Sequence, residues 1–118
     1  KNMAIVNTQL TTSQLDIIDQ VSGNGVPAGK SYAITNVLVC NTGTANATFD
    51  MHLIPNGDAL NNKVTAVVRD LTLPAKETFS FDSERIVLEA GDKIVFVASP
   101  DIGAALTDLA STVSYLEV

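Results

Sequence analysis

Val26-Pro27-Ala28-Gly29-Lys30 is followed at once by Ser31-Tyr32-Ala33-Ile34-Thr35-Asn36-Val37-Leu38-Val39-Cys40-Asn41, and that junction decides the fold. Pro27 presets a turn and Gly29 is at ease with positive φ. The run after Lys30 is dense in β-branched and aromatic residues, as a half-buried strand is. The same plan recurs at Leu73-Pro74-Ala75-Lys76-Glu77, before residues 78–82, and at Leu88-Glu89-Ala90-Gly91-Asp92, before residues 93–99. A turn that opens a strand, three times over, predicts an all-β chain.

Working outward, strands are expected at 3–10, 15–21, 31–41, 47–54, 64–73, 78–82, 85–88, 93–99 and 112–118. Residues 102–110 suit a short helical turn or an ordered loop. Side chains alternate along a strand. In 31–41 this puts Tyr32, Ile34, Leu38 and Cys40 on one face and Ala33, Val37 and Val39 on the other. In 47–54 it sets Ala47, Phe49, Met51 and Leu53 against Thr48, Asp50 and His52, which read as facing solvent or a partner. These two strands read as a hairpin through 41–46, and 55–63, rich in turn residues, reads as an exposed loop. About eight or nine short strands with frequent turns predict a β-sandwich, with jelly-roll connectivity as one option. The 118 residues suit a single domain, 1–118, in which 1–25 serve as an N-terminal arm or edge strands.

Charge and composition remove several classes of function. With 7 basic and 13 acidic residues the net charge is −6, and no Lys or Arg cluster exists to meet nucleic-acid phosphates. No window approaches the roughly 18 apolar residues of a helical membrane span. Residues 1–7 turn polar too soon for the apolar stretch of a signal peptide. Cys40 is the only cysteine, which rules out an intrachain disulfide and a cysteine-based metal cluster, and its apolar setting reads as a buried, inert thiol.

The search for chemistry is mostly negative. His52 is the only histidine and reads as a surface residue on the polar side of its strand, so no relay or metal site of several histidines can form. No Gly-x-Ser-x-Gly elbow is present. Asp82 with Glu84, or Asp50, are nominal acid and base candidates, but all sit beside turns, where carboxylates are solvated or bond to backbone. Asn56-Gly57-Asp58 and Asp70 lack the spacing of a calcium loop. No catalytic, cofactor-binding or metal-ligating residue is assigned, and the chain is read as a non-enzyme. What remains is surplus apolar surface, since both faces of 31–41 and 112–118 are apolar and Ala4, Val6 and Leu10 oppose Met3 and Ile5; it is expected to meet a partner or, equally, to be covered within the chain by the Pro55 and Pro100 loops. Ala4, Val6, Leu10, Leu116 and Val118 are the candidate partner contacts.

The stretch 26–43, continued by Ala45-Asn46-Ala47-Thr48-Phe49-Asp50-Met51-His52-Leu53-Ile54-Pro55, resembles the small β-sandwich virion proteins of tailed bacteriophages. So does Ile86-Val87-Leu88-Glu89-Ala90-Gly91-Asp92-Lys93-Ile94-Val95. In that group a turn like 26–30 leads into a strand ending in Asn-Thr, and a turn like 88–92 introduces a later strand. The resemblance spans about residues 26–99 and carries no catalytic residues. It implies a capsid decoration (cement) protein on the outside of a virion, made in the bacterial host cytoplasm. Its partners would be the major capsid protein, copies of itself, or both, in a homo-oligomer or lattice, with no role for nucleic acid or membrane. A tail, neck or fibre-base subunit is the alternative, and a carbohydrate-binding module using the Pro55 and Pro100 loops is a more distant one.

Overall fold

The computed structural model describes residues 3–81, 86–99 and 106–118, and every regular element among them is a strand. Two antiparallel sheets pack face to face. In sheet A, β1 (Met3–Thr11), β9 (Leu106–Glu117), β3 (Tyr32–Asn41) and β6 (Thr78–Phe81) lie in that order, and β7 (Ile86–Leu88) also pairs with β3. Sheet B runs β2 (Leu15–Asp16), β8 (Lys93–Ser99), β4 (Ala47–Ile54), β5 (Ala66–Leu73). The antiparallel pairs β1·β9, β2·β8, β3·β6 and β4·β5 alternate between the sheets, which is the jelly-roll arrangement.

The recurring turn theme now has a place: 26–30, 73–77 and 88–92 each carry the chain from one sheet to the other. A crossing needs a sharp corner, which Pro and Gly supply. Crossings 26–30 and 88–92 are laced together, with the Val26 N–H donating to the Asp92 carbonyl at 3.0 Å and the Gly91 N–H to the Val26 carbonyl at 2.8 Å. Gly25 (φ 74°) and Gly91 (φ 84°) allow this approach. A Cβ on Gly25 would strike the Asp92 carbonyl, and one on Gly91 would strike Asn56.

The core between the sheets is built on Phe49, Phe96, Leu10, Ile17, Met51 and Ile94, all fully buried. A side chain taken wholly out of water contributes about 1.5–3 kcal/mol. Phe79 of sheet A meets Phe49 of sheet B edge to face, with ring centroids 5.6 Å apart at 64°, and so bridges the layers.

Several sequence expectations are corrected. β3 and β4 are not a hairpin: they belong to different sheets, and 42–46 is an arch between them. Asn41, buried beneath the arch, holds it. Its Nδ2 donates to the carbonyls of Ala45 (2.8 Å) and Leu73 (2.9 Å), and its Oδ1 accepts the Gly43 N–H (3.0 Å). The faces of β3 also swap midway. Pairing with β9 slips between Ile34 and Asn36, so Tyr32 and Ile34 face the core before the slip, and Val37 and Val39 after it. A bulge inserts one residue and reverses the alternation beyond it, which turns Leu38 and Cys40 outward. Cys40 is therefore half-buried on the outer face.

The strand expected at 15–21 shrinks to Leu15–Asp16 because two aspartates capture the backbone. Asp16 Oδ1 accepts the N–H groups of Ile18 (3.0 Å) and Asp19 (3.2 Å), and Asp19 Oδ1 those of Val21 (3.3 Å) and Ser22 (3.0 Å). Such Asx turns compete with the sheet ladder. Residues 106–110, read as part of a helical turn or loop, are the first part of β9, while 82–85 and 100–105 lie outside the described residues.

Candidate functional site

Each sheet has one face in the core and one turned outward, and the two outward faces are chemically opposite. On sheet B the row Asp16, Val95, His52, Ala66 crosses all four strands, with Lys93 and Ile54 paired on one side of it and Val97 and Asp50 on the other. Asp16, Val95, His52, Ile54 and Asp50 are all buried. Asp50 is closed over by Arg69 and Asp70 of β5, while the others lie beneath the chain's own connection between β4 and β5, whose Asp58, Ala59 and Leu60 share a cleft with Asp16, Ile54 and Val95. Thr65, at the end of that connection, places Oγ1 2.8 Å from His52 Nδ1, donates to the Asn61 carbonyl (3.0 Å) and accepts the Asn61 N–H (3.0 Å).

His52 and Asp50 are thus not the solvent-facing residues the alternation suggested. His52 is 0% exposed. Since the Thr65 hydroxyl proton goes to Asn61, Nδ1 of His52 is the donor to Thr65, and Nε2, buried without a partner, bears the lone pair. Burial depresses the His52 pKa below its ordinary 6.5; Asp50 opposes that shift and Arg69 adds to it. Asp50 is committed to structure, because its carboxylate binds the Arg69 guanidinium and accepts the Asp70 N–H at 2.7 Å. That pair of contacts fixes a bulge in β5, where Asp70 has φ of 50°. Burial raises the pKa of Asp16 above 3.8, with backbone N–H bonds from Asp19, Ile18 and Gly25 opposing.

Sheet A offers the reverse. Its outward rows are Leu116–Ala33–Val87, then Ile5–Ser114–Asn36, then Asn7–Thr112–Leu38–Ser80, then Gln9–Ala110–Cys40–Thr78. None of these residues is charged, although the chain carries −6. The first rows are the apolar end: Ile5 is 71% exposed and Val87 58%, and Val118, just past β9, is 52% exposed. Leu116 and Ala33 lie half-buried between them. An uncharged, partly apolar patch is what the centre of a protein interface looks like, because charge is depleted there.

The expected contact residues divide accordingly. Leu116 and Val118 belong to this face. Leu10 is 0% exposed in the core and offers nothing to a partner, and Val6 packs against that core. Ala4 pairs with Tyr115 and Val6 with Val113, both inward positions of β9, so the outward side of β1 is that of Ile5 and Asn7. Register with β9 assigns the faces of β1, and that register is a long-range pairing invisible to local alternation. The residues missed, Ile5, Ala33 and Val87, had one available signal: each lies in an apolar strand one step out of phase with a better core residue.

A cleft of about 670 Å³ lies elsewhere, between the crossings, lined by Asp19, Asn24, Val26, Tyr32, Asn56 and Gly91 among others. Asp19 is already bound by the backbone N–H groups of Ser22, Asn24 and Val21, which hold its pKa below 3.8. Tyr32 is stacked on Tyr115 with ring centroids 4.2 Å apart. Among the described residues no group of three or more His, Cys, Asp or Glu could hold a metal ion, and no helix is long and apolar enough to cross a membrane. No protein-family model matches the chain, and no curated protein matches it.

Proposed function

We propose that this chain is a non-enzymatic virion structural protein, a module whose work is done by a surface and not by a reactive group. Within that class the reading best supported is a capsid decoration protein of a tailed phage, seated on the major capsid lattice through the outward face of sheet A. The observation that carries it is the outward face of sheet A, whose four central rows hold no charged residue on a chain of net charge −6, with charge only at its ends, in Glu89 and Asp108, and with apolar side chains exposed in the first rows. Such a face can close against a neutral partner surface without stranding a buried charge, which would cost several kcal/mol. The resemblance of residues 26–99 to phage virion sandwiches supplies the partner.

Decoration also fits the energetics. One modest contact repeated over a lattice adds to a large total, and the shell it spans resists opening through the sum. The test is a particle lacking the protein, compared with one bearing it, in thermal melting of the shell. The expected result is a lower opening temperature without the protein, restored by adding it back, and an unchanged temperature contradicts the proposal. Copy number separates decoration from the tail, neck or fibre-base alternative: hundreds per particle for the former, a few for the latter.

A further inference from the structure

The two sheets also differ at their free edges. In sheet B the edge strand β5 is blunted: its ladder with β4 slips twice, around Arg69–Asp70 and again at Val67, and it carries charged Arg69 and Asp70. Bulges and charges are the usual means of preventing an edge from pairing with another chain. The edge strand β1 of sheet A has none of these devices in its first half. From Met3 to Gln9 it runs in unbroken register with β9, without Pro, Gly or any charge, and no charged residue follows until Asp16.

The orientation of its backbone can be read from one bond. The Asn7 carbonyl accepts the Gln20 side-chain amide at 3.2 Å, so it points away from β9, toward the free edge. In an antiparallel strand the N–H and C=O of one residue point the same way and those of the next residue the other way. Ile5, like Asn7, therefore aims both backbone groups at the open edge, whereas Ala4 and Val6 bond toward β9. Gln20 closes the edge at Asn7 and leaves the part before it open.

We infer that β1 is a self-pairing edge. Two copies join antiparallel about a two-fold axis at Ile5, the two Ile5 residues exchanging their edge-facing N–H and C=O bonds while the Asn7 carbonyl stays with Gln20, so that two A sheets become one continuous sheet. A second copy is favoured over a foreign strand by charge. Two-fold pairing sets residues against their own copies, which any charge in the strand would oppose, and this edge is neutral on an otherwise acidic chain. The Ile5 side chains, 71% exposed in the single chain, then cover one another on the outward face. This inference does not rest on the capsid reading.

Sedimentation velocity over a concentration series tests it, on the full chain and on Ile5→Pro, Ile5→Lys and Val87→Lys. The proline removes an N–H that β9 does not use, so the fold is kept and only the intermolecular ladder is lost. The lysine sets two ammonium groups against each other across the axis. The expected result is a dimer for the native chain, a dimer dissociation constant raised at least about tenfold in both Ile5 variants, and no change in Val87→Lys. Circular dichroism melts of the Ile5 variants remain cooperative. A native chain that is monomeric throughout overturns the inference, and so does a dimer indifferent to both Ile5 changes.

Discussion

The outward face of sheet B and the outward face of sheet A pose the same problem to a small sandwich, and the chain handles them differently. On sheet B the connection from β4 to β5 folds back over Ile54, Val95, His52 and Asp16, and Arg69 and Asp70 of β5 close over Asp50. On sheet A no described segment does this for Ile5 and Val87, and no outward residue in its four rows is charged. A face bearing charged groups can be covered by the chain itself, since neighbouring backbone supplies the N–H donors those groups require, as the bulge at Asp70 of β5 does for Asp50. A neutral face makes no such demand and can be left for another protein.

Paired substitutions sharpen the contrast. The largest difference in stability is expected at apolar positions. Ile54→Ala, under the loop of sheet B, costs about 2–4 kcal/mol in urea unfolding, whereas Val87→Ala, on the open face, stays within about 0.5 kcal/mol. An equal loss at both positions would erase the distinction between the faces. Hydroxyl removal comes next. Thr65→Val strips the tie between His52 and Asn61 and costs about 1–2 kcal/mol, because it leaves buried polar groups unpaired. Thr35→Val, which removes an exposed contact of 2.7 Å to Ser114 on sheet A, costs less than about 0.5 kcal/mol in the same experiment.

Acid gives a subtler separation. His52 has a folded pKa below the unfolded 6.5, so the unfolded state takes up the proton first. Stability is fully present above 6.5 and is lost as pH falls below it toward the folded value. The slope is at most about 1.4 kcal/mol per pH unit, for one proton. Asp16 has the opposite sign: its pKa is raised above 3.8 in the fold, so acidification through that folded value toward 3.8 adds stability. The histidine decline is thus read first, on the way down from neutrality, by thermal melts of the native chain and His52→Gln. The account expects the decline to vanish in the variant, and a slope that persists there assigns the titration to another group.

The sheet architecture was legible because its evidence is local. Pro27, Gly29 and Gly91 mark corners by their own dihedral preferences, and the runs after them alternate as strands must. Which strands share a sheet was not legible, since the arch 42–46 and a hairpin loop look alike until Asn41 is seen bonding Ala45 and Leu73. The candidate face was half legible. Leu116 and Val118, picked out by apolar excess, lie on the outward face, whereas Leu10 is buried and Val6 packs against the core, because alternation fixes which residues share a face and not which face is the core. The bulge at Thr35 and the loop over His52 are tertiary events that no period of two encodes.

The central claim, that sheet A and not the sheet B side meets the partner, is tested most directly by binding to particle shells stripped of this protein. Val87→Lys and Val64→Lys both replace an exposed valine, 58% and 75% exposed, and both add one positive charge. Val87 lies on the outward face of sheet A, and Val64 on the connection that covers sheet B. Shell occupancy measured for the two variants beside the native chain is expected to fall at least about tenfold for Val87→Lys and to stay at the native level for Val64→Lys. Loss with Val64→Lys and native occupancy with Val87→Lys would contradict the account.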